Sequence, residues 1–200
     1  MQATRLLVFS GSSRAGSFNR RLAARSAEIA LELGAEVTDI DLLALGLPLY
    51  EARIEAAGMP AGAIELRAMM ARHDALIVAT PEYNGFPTPL LVNALDWASR
   101  PPAGDGLPSG LAAMNGTVAG VLSASPGALG GMRSLGFTRQ FLHNALGMLV
   151  VPEQLALPQA AKAFDEQGQL IDEKQRQSLH KVVRSVLRTA AALKAQQTAG

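Results

Sequence analysis

The chain has 200 residues, 48% of them hydrophobic, which is enough for one domain with a full core and short for two. Its 18 Lys and Arg nearly balance 17 Asp and Glu, so no global field attracts nucleic acid or an anionic membrane, and a small-molecule partner is favoured. Cysteine is absent, which excludes disulfides, thiolate metal sites and cysteine nucleophiles. Any redox chemistry therefore has to come from a cofactor.

We expect no targeting signal at the amino terminus. The apolar run that ends at Phe9 is shorter than a signal-peptide core, and no later segment reaches the roughly 18 apolar residues of a membrane span. We expect a cytoplasmic protein that forms one domain over residues 1–200.

Short apolar runs alternate with longer stretches of helical spacing along the chain. The runs predict five strands, at Leu6–Ser10, Glu36–Ile40, Ala75–Thr80, Thr117–Ser123 and Gly147–Val151. The first predicted helix carries Leu22, Ser26, Ile29 and Leu33 on one face and ends at Gly34. Further helices are predicted at Pro60–Arg72, Pro89–Arg100, Met132–Leu146 and Glu173–Gln196, with a loop over Pro101–Gly110.

This βα alternation predicts an α/β fold with helices on both faces of a doubly wound five-stranded parallel sheet, in strand order 2-1-3-4-5. Such folds bind ligands outside the carboxyl ends of the strands, where the strand order reverses. The site is therefore expected in the loops that follow Ser10 and Thr80.

The loop after the first strand, Ser10-Gly11-Ser12-Ser13-Arg14-Ala15-Gly16-Ser17-Phe18-Asn19, has the composition of an anion-binding cradle. Hydroxyls, the Asn19 amide and the start of a helix offer hydrogen-bond donors, Arg14 adds charge, and Gly11 and Gly16 allow close turns. The alternative is a helix cap at Ser17 behind a flexible turn. Neither a nucleoside triphosphate motif nor a Gly-x-Gly-x-x-Gly motif is present, so a monophosphate fits best.

The loop after the third strand runs from Thr80 to Pro89 and contains two aromatic residues, three prolines and a glycine. A stiff loop of this kind can present backbone N–H and C=O groups to the edge of a planar heterocycle while Tyr83 covers part of its plane. The alternative is a rigid turn around a buried tyrosine.

Four segments in order resemble the NADPH-dependent FMN reductase family of the flavodoxin-like fold, which includes quinone, azo-dye and chromate reductases. They are Gly11–Asn19, Pro81–Asn84, Asn93–Arg100 and Ser123–Gly131. The resemblance implies that the FMN phosphate is held by Ser12, Arg14, Ser17, Phe18 and Asn19. It implies that the isoalloxazine is lined by Pro81, Glu82, Tyr83, Asn84 and Gly85, and approached by Ser125 and Gly127. Val92 and Ala113–Gly116 depart from the family pattern, away from the expected flavin.

The resemblance also implies the reaction, in which a hydride passes from NADPH or NADH to FMN before a quinone, azo, metal-oxyanion or flavin acceptor is reduced by a ping-pong mechanism. No residue is expected to act as a general acid or base, and Tyr83 is the candidate for stacking on a substrate. A homodimer or homotetramer is implied, with Asp96 and Trp97 in packing or interface roles. Arg100 is expected either to contact a nucleotide phosphate or a neighbouring subunit, or to be a solvent-exposed cation at a helix end.

Other readings of the same fold stay open. A flavodoxin-type electron carrier would share the fold and FMN, although such carriers are usually strongly acidic, and an FMN-binding redox sensor needs the same pocket. A phosphoryl-accepting receiver domain is disfavoured, because Ser10-Gly11 and Thr80-Pro81 stand where its acidic residues would be. His73, His143 and His180 are too far apart for a short metal motif, so no metal site is predicted.

Overall fold

Five parallel strands form the centre of the fold, in the order β2-β1-β3-β4-β5. The computed structural model describes residues 3–199, with side chains described as far as residue 196. The strands are β1 (Arg5–Ser10), β2 (Glu36–Asp41), β3 (Ala75–Ala79), β4 (Val118–Ala124) and β5 (Leu149–Leu157). The predicted strand order and the flavodoxin-like class are confirmed.

The apolar character of the strands decides their places in the sheet. All residues of β3 and β4 are buried, as are all but the first of β1, because helices cover both faces of these inner strands. Strand β2 is more polar and partly exposed, which suits a strand at the edge of the sheet.

Helices pack on both sides of the sheet, as the sequence predicts. On one side, α1 (Phe18–Glu32) and α7 (Glu173–Ala199) bury residues against the sheet in one apolar cluster. On the other side lie α3 (Ala61–Arg72), α4 (Pro89–Ser99), α5 (Gly110–Met114) and α6 (Met132–Gln140), around a second cluster. A short helix α2 (Ala52–Ala57) buries none of its residues. None of the helices described between residues 3 and 199 is long and apolar enough to cross a membrane.

Several predicted boundaries need correction. Strand β5 continues past Val151 to Leu157, because Pro152 lies on an edge strand where the pairing with β4 shifts register between Ala119 and Val121. The helix predicted to end at Leu146 is α-helical only to Gln140, and a π-helical turn follows over Phe141–Ala145. Leu33 was expected on the buried face of the first helix, but it lies at the helix end and is 42% exposed.

The loops that follow the strands continue the pairing of the sheet for one more residue. Gly11 N donates to Ala79 O at 3.0 Å, and Thr80 N donates to Leu122 O at 2.9 Å. Ser125 N likewise donates to Leu157 O at 3.1 Å. The starts of the loops after β1, β3 and β4 are therefore fixed side by side at the carboxyl edge of the sheet.

Candidate functional site

A cleft opens at this edge of the sheet, where the sequence predicts the site. Its walls come from the loops after β1, β3 and β4, and its lining is Ser12, Arg14, Ser17, Phe18, Asn19, Pro81, Glu82, Tyr83, Ala124, Ser125 and Pro126. Nine of the twelve predicted site residues are thus brought together. The other three, Asn84, Gly85 and Gly127, belong to the same loops but do not line the cleft. Ala124 and Pro126, which the prediction missed, are the sequence neighbours of Ser125.

Serine hydroxyls shape the loop after β1. Ser10 Oγ accepts a hydrogen bond from Ser12 N at 3.2 Å, and Ser12 Oγ accepts one from Arg14 N at 3.3 Å. Ser17 caps α1, since its Oγ accepts from Asn19 N at 3.2 Å and from Arg20 N at 3.4 Å. The cap predicted as a mere alternative is therefore present, and it coexists with the cleft because the Ser17 hydroxyl can still donate its hydrogen.

Arg14 brings an uncompensated positive charge to the cleft. Its guanidinium lies over the Phe18 ring, 4.9 Å from the ring centroid. No carboxylate forms an ion pair with Arg14 in the described part of the chain. The cleft thus combines a free cation with the amino terminus of a helix, which together favour an anion.

Asn19 joins the loop after β1 to the end of β4. Its Nδ2 donates to Ala124 O at 2.8 Å, and its Oδ1 accepts from Ala124 N at 2.8 Å. Asn19 is 2% exposed, so these bonds are buried. The amide was expected chiefly as a donor to an anion; one of its two N–H groups and its oxygen instead fix the backbone of the neighbouring loop.

Gly11 is required by close packing. A Cβ at this position would lie 2.6 Å from Thr80 Oγ1 and 3.0 Å from both Leu91 Cβ and Thr88 Oγ1. Thr88 Oγ1 also donates to Gly11 O at 2.5 Å. The missing side chain lets the loops after β1 and β3 touch. Gly16, with φ of +66°, supplies the predicted turn.

The loop after β3 contains a tight two-residue turn. Tyr83 and Phe86 exchange backbone hydrogen bonds of 2.9 and 3.0 Å around Asn84 and Gly85. Both central residues have positive φ, 53° and 89°, as a type I′ turn requires, which explains the Asn-Gly pair. Tyr83 is 46% exposed, so the alternative of a turn around a buried tyrosine is wrong.

Glu82 connects this loop to helix α6. Its carboxylate forms an ion pair with Arg133, whose Nε donates to Oε1 at 2.7 Å. The backbone N–H groups of Arg133 and Ser134 donate to Oε2 at 3.2 and 3.4 Å, so the carboxylate also satisfies the first turn of α6. The negative charge of Glu82 is therefore compensated, although its residue lines the cleft. Nothing in the local sequence around either residue indicated this pairing across 51 positions.

Arg100 lies at the carboxyl end of α4, whose amino terminus is the end near the cleft. The helix spans 11 residues, which places Arg100 about 16 Å along the axis from that end. Its Nε donates to Glu55 Oε1 at 3.0 Å, and Tyr50 Oη donates to Glu55 Oε2 at 2.6 Å. The Tyr50 and Arg100 hydrogen bonds lower the pKa of Glu55. Within this chain Arg100 is engaged in an ion pair remote from the cleft.

Trp97 packs in the core, as predicted. It is fully buried, and its Nε1 donates to Pro48 O at 2.7 Å. Burial raises the pKa of Asp96 on the same helix.

Two of the three histidines lie within hydrogen-bond distance of groups of the fold. His73 Nδ1 lies 2.7 Å from Met69 O and its Nε2 lies 2.8 Å from Thr38 Oγ1, while His143 Nδ1 lies 2.9 Å from Met148 O. Among the residues that the structure describes, no group of three or more His, Asp or Glu side chains could hold a metal ion.

Comparison with known proteins shows to which family the chain belongs. The sequence model of the NADPH-dependent FMN reductase family matches residues 4–162, which include every residue of the cleft. The chain belongs to the NADPH-dependent FMN reductase family. It is an oxidoreductase of the kind that uses FMN and a nicotinamide nucleotide.

Individual relatives extend the match over almost the whole chain. The chain is 34% identical over 185 residues to an NAD(P)H-dependent FMN reductase of Pseudomonas aeruginosa, covering 91% of this chain and 92% of that protein. It is 35% identical over 173 residues to a quinone reductase of Pseudomonas putida, covering 86% of this chain and 87% of that protein. Among solved structures, the flavoenzyme NAD(P)H:(acceptor) oxidoreductase FerB of Paracoccus denitrificans superimposes on this chain with a TM-score of 0.76. The two are 25% identical, and the match covers 95% of this chain and 98% of FerB. An FMN reductase assignment is thus supported by sequence and by fold.

Proposed function

We propose that this FMN reductase binds FMN in the cleft, takes a hydride from NADPH or NADH, and then reduces a quinone, azo compound, metal oxyanion or free flavin by a ping-pong mechanism. The observation that carries the proposal is the meeting, in one cleft, of an anion-binding helix start with Pro81–Tyr83 from the neighbouring loop. Bound FMN would supply the redox chemistry, and the chain would supply position and surroundings.

The first loop fits the phosphate of FMN. Three groups are available to a phosphate: the Ser17 hydroxyl, which can still donate its hydrogen, the positive charge of Arg14, and the dipole of the first turn of α1. Phe18 supports the Arg14 guanidinium, and Asn19 holds the loop against β4. We therefore assign the phosphate to Ser12, Arg14, Ser17, Phe18 and Asn19.

The second loop fits the edge of a flat ring. The Asn84-Gly85 turn is pinned by two backbone hydrogen bonds, and Thr88 fastens the far end of the loop to Gly11. A loop fixed in this way holds its peptide groups in place without reorganising for the ring. We assign the ring edge to Pro81, Glu82, Tyr83, Asn84 and Gly85, with Ser125 and Gly127 approaching from the loop after β4.

Tyr83 is the side chain placed to stack on a substrate. It lines the cleft and is 46% exposed, so an aromatic surface is available beside the assigned ring site. We expect Tyr83→Ala, when saturated with FMN, to slow both half-reactions. Leu111→Ala is a suitable control, because Leu111 is 49% exposed on α5, which leads into the opposite edge of the sheet. Unchanged half-reactions in Tyr83→Ala would remove this role.

An electron carrier or a redox sensor would use the same cleft. The near-neutral balance of charge argues against a carrier that docks through an acidic surface.

We propose a homodimer or homotetramer as the working state.

An anaerobic stopped-flow experiment separates these functions. FMN-loaded protein is mixed with NADPH, and the visible absorbance of the flavin is followed before and after a second mixing with a quinone. Fast, saturable bleaching followed by recovery supports the reductase. Bound flavin that stays oxidised would assign the chain to the carrier or sensor class, and failure to bind FMN would reject the site.

A further inference from the structure

The exposed aromatic side chains of this protein are gathered in one place. Of nine aromatic residues, Tyr83, Phe86 and Phe137 are exposed, by 46%, 55% and 43%, and the others are buried or half-buried. Leaving large apolar rings in water forfeits the free energy that burial would provide. Exposed rings clustered beside a cleft therefore point to binding.

Phe86 and Phe137 form a stacked pair, 4.3 Å between ring centroids with 24° between ring planes. Phe86 belongs to the loop after β3, and Phe137 belongs to α6. Tyr83 and Phe86 are directly opposite each other in their turn, so their side chains project to the same face. Tyr83 lines the cleft and Phe86 is its partner across the turn, so the stacked pair lies beside the cleft.

An ion pair fixes the same loop to the same helix. Glu82 binds Arg133, and Phe86 stacks on Phe137, so residues four apart on the loop meet residues one helical turn apart. The positive charge of Arg133 is neutralised in this way. Exposed Met132, at the start of α6, adds apolar surface. These side chains thus offer contact area to an apolar ring, and the one among them that carries a positive charge, Arg133, is paired with a carboxylate.

We propose that Phe86 and Phe137 form the outer wall of the acceptor site and select planar, apolar aromatic acceptors, foremost fused-ring quinones, over small anions. This inference rests on the proposed function. The overall reaction is NAD(P)H plus one proton plus quinone giving NAD(P)⁺ plus hydroquinone, so two electrons and two hydrogens pass to the quinone oxygens. The wall contributes by stacking on the second quinone ring, which a metal oxyanion or ferricyanide lacks.

The test compares acceptors in Phe86→Ala, Phe137→Ala and the double variant, all FMN-loaded. Specificity constants are measured with a naphthoquinone and with ferricyanide, and bleaching by NADPH is measured without an acceptor. We expect kcat/KM for the naphthoquinone to fall about three- to tenfold in each single variant and further in the double variant, mainly through KM. The ferricyanide constant and the NADPH bleaching rate should stay within about twofold. Leu31→Ala, which removes a 57% exposed side chain from α1, is the control and should change neither constant.

Three outcomes would overturn the inference. Equal losses with both acceptors would mean that the substitutions disturb the flavin site, and unchanged quinone kinetics would mean that the wall is not used. The third outcome is measured by sedimentation velocity. If an oligomer dissociates in the double variant, a second copy of the chain packs on the Phe86–Phe137 pair. Failure of the proposed function gives a different result from all three, because NADPH would then not bleach the flavin of the unsubstituted protein.

Discussion

The side chain of Asn19 forms two hydrogen bonds, each 2.8 Å long, with the backbone of Ala124, 105 positions away. One side chain thereby replaces a missing strand neighbour at the point where β4 ends. It also sets the distance between the loop assigned to phosphate and the loop that carries Ser125. The geometry of the cleft therefore depends on a residue with a structural task.

Replacing Asn19 by Leu should destabilise the fold and weaken FMN binding. Both backbone groups of Ala124 would be left without partners in a buried position, at a cost of about 2–4 kcal/mol. Urea unfolding of the FMN-free protein measures this cost, and titration with FMN measures the second effect. Asn144→Leu is the control, because Asn144 is exposed and should unfold like the unsubstituted protein. A loss of stability below about 0.5 kcal/mol in Asn19→Leu would contradict the role given to this bridge.

The sequence predicts the fold and most of the cleft because those features depend on local patterns. Buried strands show as apolar runs, and Ser17 stands before a helical pattern as caps do. The partners of Glu82 and Asn19 could not be predicted, since Arg133 and Ala124 are distant in sequence and meet only through the order of the strands. The end of β5 was missed because Pro152 normally ends a strand in the interior of a sheet, whereas β5 is at an edge.

Gly11→Ala should move the loop after β1 away from the loop after β3. The added Cβ would lie within 2.6 Å of Thr80 Oγ1, and Thr80 is fully buried, so one loop has to shift. We expect a loss of about 1–3 kcal/mol in unfolding free energy, together with weaker FMN binding.

The matched substitution is Gly136→Ala in α6, where an added Cβ meets no atom within 4 Å. Alanine favours a helix over glycine by about 1 kcal/mol, so this variant should gain stability. If the packing argument holds, denaturant unfolding should show a lower free energy of unfolding for Gly11→Ala and a higher one for Gly136→Ala, each relative to the unsubstituted protein. A Gly11→Ala protein as stable as the unsubstituted one would contradict it.

Arg14→Ala should weaken binding of FMN and leave binding of riboflavin unchanged. A hydrogen bond to a charged group contributes about 1.5–3 kcal/mol, which corresponds to a roughly 10- to 100-fold rise in Kd for FMN. Riboflavin has no phosphate, so it should not respond. Arg21→Ala controls for the loss of a cation from the first turn of α1, because Arg21 is exposed and does not line the cleft. Equal losses for both flavins would show that Arg14 acts on the fold of the loop.

Stability at low pH should depend on Asp74, at the edge of the sheet opposite the cleft. Burial alone would raise the pKa of this carboxyl, but hydrogen bonds from Arg5 N at 2.8 Å and Lys194 Nζ at 2.9 Å, with a further bond from the Arg5 side chain, outweigh burial and lower it. A carboxyl whose pKa is lower in the folded state binds fewer protons there than in the unfolded state. Its contribution is therefore complete above the ordinary value of 3.8 and is lost as the pH falls through the folded pKa.

Asp74→Asn should accordingly lower the free energy of unfolding at pH 7 by about 1–3 kcal/mol, because three hydrogen bonds to a charged acceptor are weakened. The difference from the unsubstituted protein should shrink as the pH drops below about 4, where Asp74 itself becomes protonated. Glu166→Gln, an exposed substitution, is the control and should show no such convergence. Urea unfolding at several pH values between 3 and 7 measures the difference directly, and a difference that stays constant across that range would assign the stabilisation to packing and not to the charge of Asp74.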